Sequence, residues 1–129
     1  MTTNETISPY FENGVFAGVR VTSEDEDFVI APKDYSRKMM NWYDAMDVLK
    51  SNGLDTWNYH QCCLVWPNYE EIEKVLRRNG GEYLNVEYWT CTEYSNDAAF
   101  YYDGYYNQLR WDTKTERCYV RPIKNLKTV

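Results

Sequence analysis

The last third of the chain runs from Tyr88-Trp89-Thr90-Cys91-Thr92-Glu93-Tyr94-Ser95 to Tyr119-Val120-Arg121-Pro122-Ile123, and it constrains the fold more than any other stretch. Between these ends lies Ala98-Ala99-Phe100-Tyr101-Tyr102-Asp103-Gly104-Tyr105-Tyr106, where Asp-Gly separates two aromatic runs. An Asp-Gly pair in this setting predicts a β-hairpin, because the type I′ turn needs two positive φ angles. The stretch holds seven of the chain's 13 tyrosines, and recognition surfaces are enriched in tyrosine. The pattern therefore indicates binding before catalysis.

The hydrophobic periodicity around this stretch predicts an α+β fold. Strands are expected at 15–21, 28–31, 87–92, 98–103, 106–111 and 117–123, the last four forming an antiparallel meander. A first helix is expected from the N-cap Asn41 to the C-cap Asn52-Gly53, and a second begins at Pro67-Asn68. The fold class is thus two helices packed on short antiparallel sheets with a C-terminal β-meander.

Length and charge limit the classes of protein that the chain can represent. Its 129 residues fit one domain, expected at 15–129 after a polar lead-in at 1–14. The net charge of −6 and pI of about 4.8 disfavour nucleic-acid partners. Residues 1–6 lack the basic and apolar regions of a secretory signal, and no apolar run is long enough to span a membrane. The chain is therefore expected to be made in the cytoplasm, without membrane insertion.

Reactive residue types occur without a recognisable catalytic or metal-binding arrangement. The acidic run 24–27 lacks the spacing and central Gly of an EF-hand, so a solvated hairpin tip is favoured over a calcium site. Cys91 and Cys118 lie in predicted strands; a disulfide is left open, and buried free thiols are favoured. His60 is the only histidine, and no partner stands at a catalytic spacing from it. We therefore expect no cofactor, no metal ion and no enzymatic activity.

The chain resembles a known family over about residues 86–126. The residues that carry the resemblance are Tyr88–Ser95, Ala98–Tyr102, Gly104, Lys114 and Tyr119–Ile123. They are similar to the C-terminal signature of C-type lectin-like domains in bacterial and phage proteins of the Lcl C-terminal type. Variable proteins of diversity-generating retroelements and formylglycine-generating enzymes are related to these in fold. The resemblance implies a C-type lectin-like domain with its N- and C-terminal strands close together.

The resemblance also implies roles for individual residues. Trp89 would be core, and Glu93 with Arg121 would form a buried ion pair holding the meander to the last strand. The face on which the family varies its residues would carry the ligand-binding residues Tyr101, Tyr102, Asp103, Tyr105, Tyr106, Asn107, Gln108, Arg110 and Trp111. Side chains alternate along a strand, so about half of these would face solvent on one side. Plain core packing of the tyrosines remains the alternative, although two adjacent pairs of tyrosines favour an exposed aromatic surface.

Two functions from different classes follow from this reading. The first is a non-enzymatic ligand- or receptor-binding module, located on a bacteriophage particle as a fibre or surface-decoration protein. It would recognise a glycan or protein on the host surface through its aromatic C-terminal face. The alternative is a structural virion or assembly protein whose aromatic face is buried against another virion protein. Formation of a homo-oligomer is left open.

Overall fold

The computed structural model describes residues 5–126 and confirms the α+β class. Residues 1–4 of the predicted lead-in and residues 127–129 of the predicted domain lie outside the described residues. The strands are β1 Thr6–Glu12, β2 Val15–Thr22, β3 Asp27–Ile30, β4 Asp55–Thr56, β5 Glu87–Glu93, β6 Ala98–Asp103, β7 Gln108–Thr113 and β8 Pro122–Asn125. The helices are α1 Trp42–Ser51, α2 Tyr59–Val65 and α3 Tyr69–Arg78, with a 3₁₀ turn Trp66–Asn68 between the last two.

Local capping interactions define the helix ends. The Asn41 side chain accepts a hydrogen bond of 2.8 Å from the Asp44 amide at the start of α1, and Asn52 ends that helix, as predicted. Helix α2 lies where the sequence predicts the end of a connection, up to His60, followed by a short apolar run at 62–66, so this helix is not among the predicted elements. Its start is a capping box in which Asn58 and Gln61 exchange hydrogen bonds of 2.8 and 3.0 Å. Two satisfied donors stabilise a helix of only two turns.

The predicted lead-in contains a strand. Residues Thr6–Glu12 form β1, which pairs antiparallel with β2. The turn between them is Asn13-Gly14, with φ of 51° and 79°, as a type I′ hairpin requires. The structured part of the chain therefore begins before residue 15, because a strong hairpin signal lies inside the segment predicted to precede the domain.

The eight strands divide into two antiparallel sheets. The larger has the order β1-β2-β3-β8-β4, and the smaller has the order β5-β6-β7. The prediction that 117–123 forms the fourth strand of the meander is wrong. The last strand, β8, instead pairs with β3 and β4 in the larger sheet. Only a bridge between Tyr88 and Tyr119 links the segment before β8 to β5.

The core consists of two clusters that lie on opposite faces of the three-stranded sheet. One contains Tyr102 of β6 with side chains from β2, β3, α2, α3 and β8. The other contains Tyr101 and Trp89 with Ala45 and Leu49 of α1. The central strand β6 is consequently covered from both sides, which decides where its aromatic residues point.

Candidate functional site

Tyr101 and Tyr102 are buried, which corrects their predicted place in an exposed face. Both lie on the central strand β6, Tyr101 toward the α1 cluster and Tyr102 toward the larger cluster. Tyr102 is fully buried and packs edge-on against Trp57 at 5.6 Å between ring centroids. This pair of adjacent tyrosines leaves no exposed ring, because both faces of the sheet are covered at this position.

The loop between β6 and β7 is held by two polar side chains at its ends. Asp103 is buried, and its Oδ1 accepts hydrogen bonds from the amides of Tyr105 at 3.0 Å and Tyr106 at 3.2 Å. At the other end, Asn107 has a positive φ of 53°. Its side-chain Oδ1 accepts a hydrogen bond from the Tyr102 hydroxyl. Its Nδ2 donates a hydrogen bond of 3.1 Å to the Trp66 carbonyl. Asp103 and Asn107 thus shape the loop, and neither is a freely exposed contact residue.

The predicted hairpin exists, but its turn differs from the predicted type I′ turn. Four residues, 104–107, connect the strands, so β7 begins at Gln108 rather than at the predicted position 106. Gly104 does not have a positive φ. A Cβ on it would lie 2.0 Å from the carbonyl oxygen of Leu84, and its amide donates to Val86 at 2.9 Å. Close packing against the 84–86 segment therefore requires the glycine.

Tyr105 and Tyr106 project from this fixed loop into solvent. Their exposed fractions are 74% and 64%, the first being the largest among the exposed hydrophobic side chains of the described residues. The rings meet edge-on, 4.7 Å apart at an interplanar angle of 85°. Within the described chain neither hydroxyl has a hydrogen-bond partner. Two large amphipathic rings are held in position without serving the core.

A cleft of about 380 Å³ opens beside these rings. We call it the hairpin cleft, and it is lined by Met39, Asn85, Val86, Glu87, Asp103, Tyr105, Tyr106, Arg110 and Tyr119. Glu87 and Arg110 bring opposite charges to it. Both act on the hydroxyl of Tyr101: burial, and next the Glu87 carboxylate, raise the Tyr101 pKa to about 12, while Arg110 opposes the rise. The cleft thus combines aromatic rings, a carboxylate and a guanidinium.

The remaining predicted contact residues lie outside this cleft. Gln108 is exposed on β7, opposite Asp103 in the register of the hairpin. Trp111 also lies on β7, but it follows Arg110, so its side chain points to the opposite face of the sheet. There it stacks on Tyr94 with ring centroids 4.4 Å apart and an interplanar angle of 4°. The structure therefore separates the single predicted face into two surfaces on opposite sides of one sheet.

The three predicted structural residues have different outcomes. Trp89 is fully buried, and its indole N–H donates to the Met40 carbonyl at 2.8 Å. The predicted pair of Glu93 with Arg121 does not form. Glu93 instead lies 3.2 Å from the buried ammonium of Lys114, and Arg121 lies 3.0 Å from Asp34.

Arg121 has this different partner because it sits where several segments converge. It is fully buried, and its guanidinium donates to the carbonyls of Ala31 at 3.0 Å and of Glu82 and Tyr83, each at 2.8 Å. The ion pair with Asp34 completes the set. Three hydrogen bonds to backbone carbonyls and one ion pair with a carboxylate position Arg121 away from the meander.

Sequence reasoning missed several residues that line the two surfaces. Met39, Glu87 and Tyr119 belong to the hairpin cleft, and Tyr94 stacks on Trp111. Glu87 had a usable signal, because its register with Asp103 across β5 and β6 brings it to the hairpin end of the sheet. Met39 lies in an irregular segment before α1, and no local pattern indicates its position.

The cysteines and the histidine considered for catalysis, Cys91, Cys118 and His60, do not form a nucleophile–base pair with one another. Cys91 and Cys118 are free rather than joined by a disulfide, and Cys91 is exposed rather than buried. Burial raises the pKa of the Cys118 thiol well above its ordinary value, which disfavours a thiolate. His60 lies 3.1 Å from Asp25 on the surface, and Asp27 of the acidic run pairs with Arg20 at 2.7 Å.

Clusters of metal-binding side chains and membrane-spanning helices are also not seen in the described part of the chain. Over residues 5–126, His, Cys, Asp and Glu side chains do not gather in a group of three or more that could hold a metal ion. None of the helices formed by these residues is long and apolar enough to cross a membrane.

No family model matches the chain, and no curated protein matches it. The resemblance to C-type lectin-like domains therefore stays a prediction from the sequence.

Proposed function

We propose that this chain is a non-enzymatic recognition module that binds its ligand at the hairpin cleft. The observation that carries the proposal is the fixed loop with two unused rings. Asp103 holds the loop from within, while Tyr105 and Tyr106 stay largely exposed. Ordering a loop before the ligand arrives reduces the entropy lost on binding. Stability alone gives no reason to display these two rings.

The lining of the cleft indicates an amphipathic ligand that also forms hydrogen bonds. Tyrosine supplies a large contact area with only two side-chain torsions to restrict. Glu87 and Arg110 can pair with groups of opposite charge or with hydroxyls on the ligand. A glycan or a protein segment on a bacterial surface fits this description. The placement of the module on a bacteriophage particle, and its C-type lectin-like fold, rest on the sequence resemblance.

The proposal is tested by binding to a panel of bacterial envelope fractions and to a glycan array. Compared with the unchanged chain, Tyr105→Ala combined with Tyr106→Ala should reduce binding by at least about tenfold, which corresponds to about 1.4 kcal/mol. Arg110→Ala should also weaken binding. The matched control is Phe11→Ala, which removes an exposed ring from the other sheet. Binding that is unaffected by the double variant would exclude the hairpin cleft.

One observation favours the structural alternative, a virion or assembly protein. Strand β7 lies at an edge of the three-stranded sheet, and an edge strand offers backbone groups to another chain. A protein that buries this edge against a partner or a second copy would show a concentration-dependent mass in light scattering. Thr113→Pro, which places a proline on the edge at a residue whose amide donates to the Asp112 side chain at 2.7 Å, would abolish that association. A constant monomer mass together with ligand binding would favour recognition.

A further inference from the structure

Four aromatic side chains form a continuous row on the face of the three-stranded sheet opposite the hairpin cleft. We call this set the aromatic row: Tyr59, Tyr94, Phe100 and Trp111. The centroid separations are 4.7 Å from Tyr59 to Phe100, 5.5 Å from Phe100 to Tyr94 and 4.4 Å from Tyr94 to Trp111. Phe100 and Trp111 are cross-strand neighbours on β6 and β7, and Tyr59 comes from the start of α2. Tyr94 directly follows β5, so four separate segments build one surface.

The polar atoms of the row are unused by the fold. Trp42, Trp57 and Trp89 each donate their indole N–H to a backbone carbonyl, at 2.9, 3.2 and 2.8 Å. Trp111 has no such acceptor among the described residues. The hydroxyls of Tyr59 and Tyr94 likewise have no partner there. The tryptophans that serve the core satisfy their N–H groups, whereas Trp111 keeps a donor available to a ligand.

The size of the exposed surface suits a small ligand better than a protein. Tyr59 is 40% exposed, and Tyr94 and Trp111 are each 52% exposed. An aromatic side chain has about 150–250 Å² to bury, so these three rings offer roughly 300 Å². A standard protein interface buries about 800 Å² on each partner. The row alone therefore falls well short of a protein interface.

We propose that the aromatic row is a second binding site and that its ligand is an uncharged carbohydrate. The face of an aromatic ring carries partial negative charge, which attracts the polarised C–H groups on one face of a sugar ring. The free indole N–H and the two tyrosine hydroxyls then bind sugar hydroxyls. None of the four members is charged, and the chain's net charge of −6 repels acidic polysaccharides. The site requires no metal ion.

The test is native electrophoresis of the full chain in gels containing soluble neutral polysaccharides: an α-glucan, a β-glucan, a mannan, a xylan and a galactomannan. We expect retardation in at least one gel, and we expect Trp111→Ala and Tyr94→Ala each to weaken it about tenfold. Trp111→Phe keeps a stacking ring and should restore most of the binding. The sugar-induced change in tryptophan fluorescence should be smaller in Trp111→Phe even where binding persists.

The matched control is Tyr105→Ala combined with Tyr106→Ala, which alters the hairpin cleft and leaves the row intact. Retardation that survives in the control and is lost in the row variants supports the second site. Retardation lost only in the control would place the sugar in the hairpin cleft and overturn the inference. The inference is also overturned if none of the five gels retards the chain, or if Trp111→Ala and Tyr94→Ala both keep their binding. Binding to an envelope component that is destroyed by proteolysis, with no polysaccharide binding, would indicate a protein partner instead.

Discussion

Replacing Tyr102 should destabilise the fold strongly and replacing Tyr105 should hardly change its stability, although both tyrosines belong to the same hairpin. Tyr102 is fully buried and packs edge-on against Trp57 and inside the larger core cluster. Truncating a buried aromatic side chain to alanine costs about 3–5 kcal/mol, because the transfer free energy is lost and a cavity remains. Tyr105 is 74% exposed, so Tyr105→Ala should change the free energy of unfolding by about 0.5 kcal/mol or less.

The hydroxyl of Tyr102 makes a separate contribution that Tyr102→Phe isolates. It donates to Asn107, the residue with positive φ that ends the loop. Loss of this bond should cost about 0.5–1.5 kcal/mol, with a further penalty if the Asn107 acceptor stays buried and unpaired. Because the loop positions Tyr105 and Tyr106, the same variant should weaken ligand binding at the hairpin cleft although both rings remain.

Urea unfolding followed by tryptophan fluorescence measures these differences, since Trp57 lies 5.6 Å from Tyr102 between ring centroids. Far-ultraviolet circular dichroism on each variant verifies that the helices persist before urea is added. A loss below 1 kcal/mol for Tyr102→Ala would refute its burial. A loss above 2 kcal/mol for Tyr105→Ala would show that its ring supports the fold, and the recognition proposal would then lose its main observation.

Three further predictions concern the supports of this region. Arg121→Ala should lower the free energy of unfolding, measured in urea, by about 3–5 kcal/mol, because it leaves Asp34 and three carbonyls without their buried partner. A loss of less than 1 kcal/mol would contradict this. Gly104→Ala should lower stability by about 1–3 kcal/mol, since the added Cβ meets the Leu84 carbonyl; an unchanged melting temperature would refute the close approach. Burial raises the Tyr88 pKa from 10.0 to about 12, so the folded chain holds this proton more tightly than the unfolded chain. Stability should therefore fall between pH 10 and 12, by up to about 1.4 kcal/mol per pH unit from this group. Tyr88→Phe should make that decline less steep without removing it, because the pKa values of Tyr69, Tyr101 and Tyr102 are also raised by burial.

Features with a local cause could be predicted from the sequence. The ends of α1 follow from Asn41 and Asn52, whose side chains and backbones make contacts within one helical turn. Strand β6 has the predicted bounds. Strand β1 within the lead-in was not predicted, although its cause is also local, because Asn13-Gly14 carries a strong hairpin signal. These elements depend on neighbouring residues only.

Features with a distant cause could not be predicted in this way. The last strand continues the meander along the sequence, yet β8 pairs with β3, and such a long-range pairing has no local signature. Arg121 selects Asp34 over Glu93 because carbonyls from two other segments fix its guanidinium. Gly104 is required by its contact with Leu84 rather than by its own φ angle.

The division of the tyrosines has the same origin and affects the candidate site most. Alternation along a strand tells which residues share a face, but it does not tell whether that face meets solvent. Strand β6 is central and covered on both sides, so Tyr101 and Tyr102 are both buried. Strand β7 is at the edge, so Arg110 and Trp111 are both exposed on opposite faces. Position within the sheet, rather than sequence pattern, separates core tyrosines from candidate contact residues.

This placement of Arg110 and Trp111 has a consequence for how the module can act. The two residues are adjacent on one strand, but the hairpin cleft and the aromatic row open on opposite sides of the sheet. A small ligand in one of these surfaces therefore cannot contact the other. If both surfaces bind, one chain can hold two ligands or bridge two partners. When both ligands belong to one extended surface, the second contact becomes intramolecular, and weak individual sites give strong overall attachment. Shallow, half-exposed aromatic surfaces are sufficient for a protein that acts in this way.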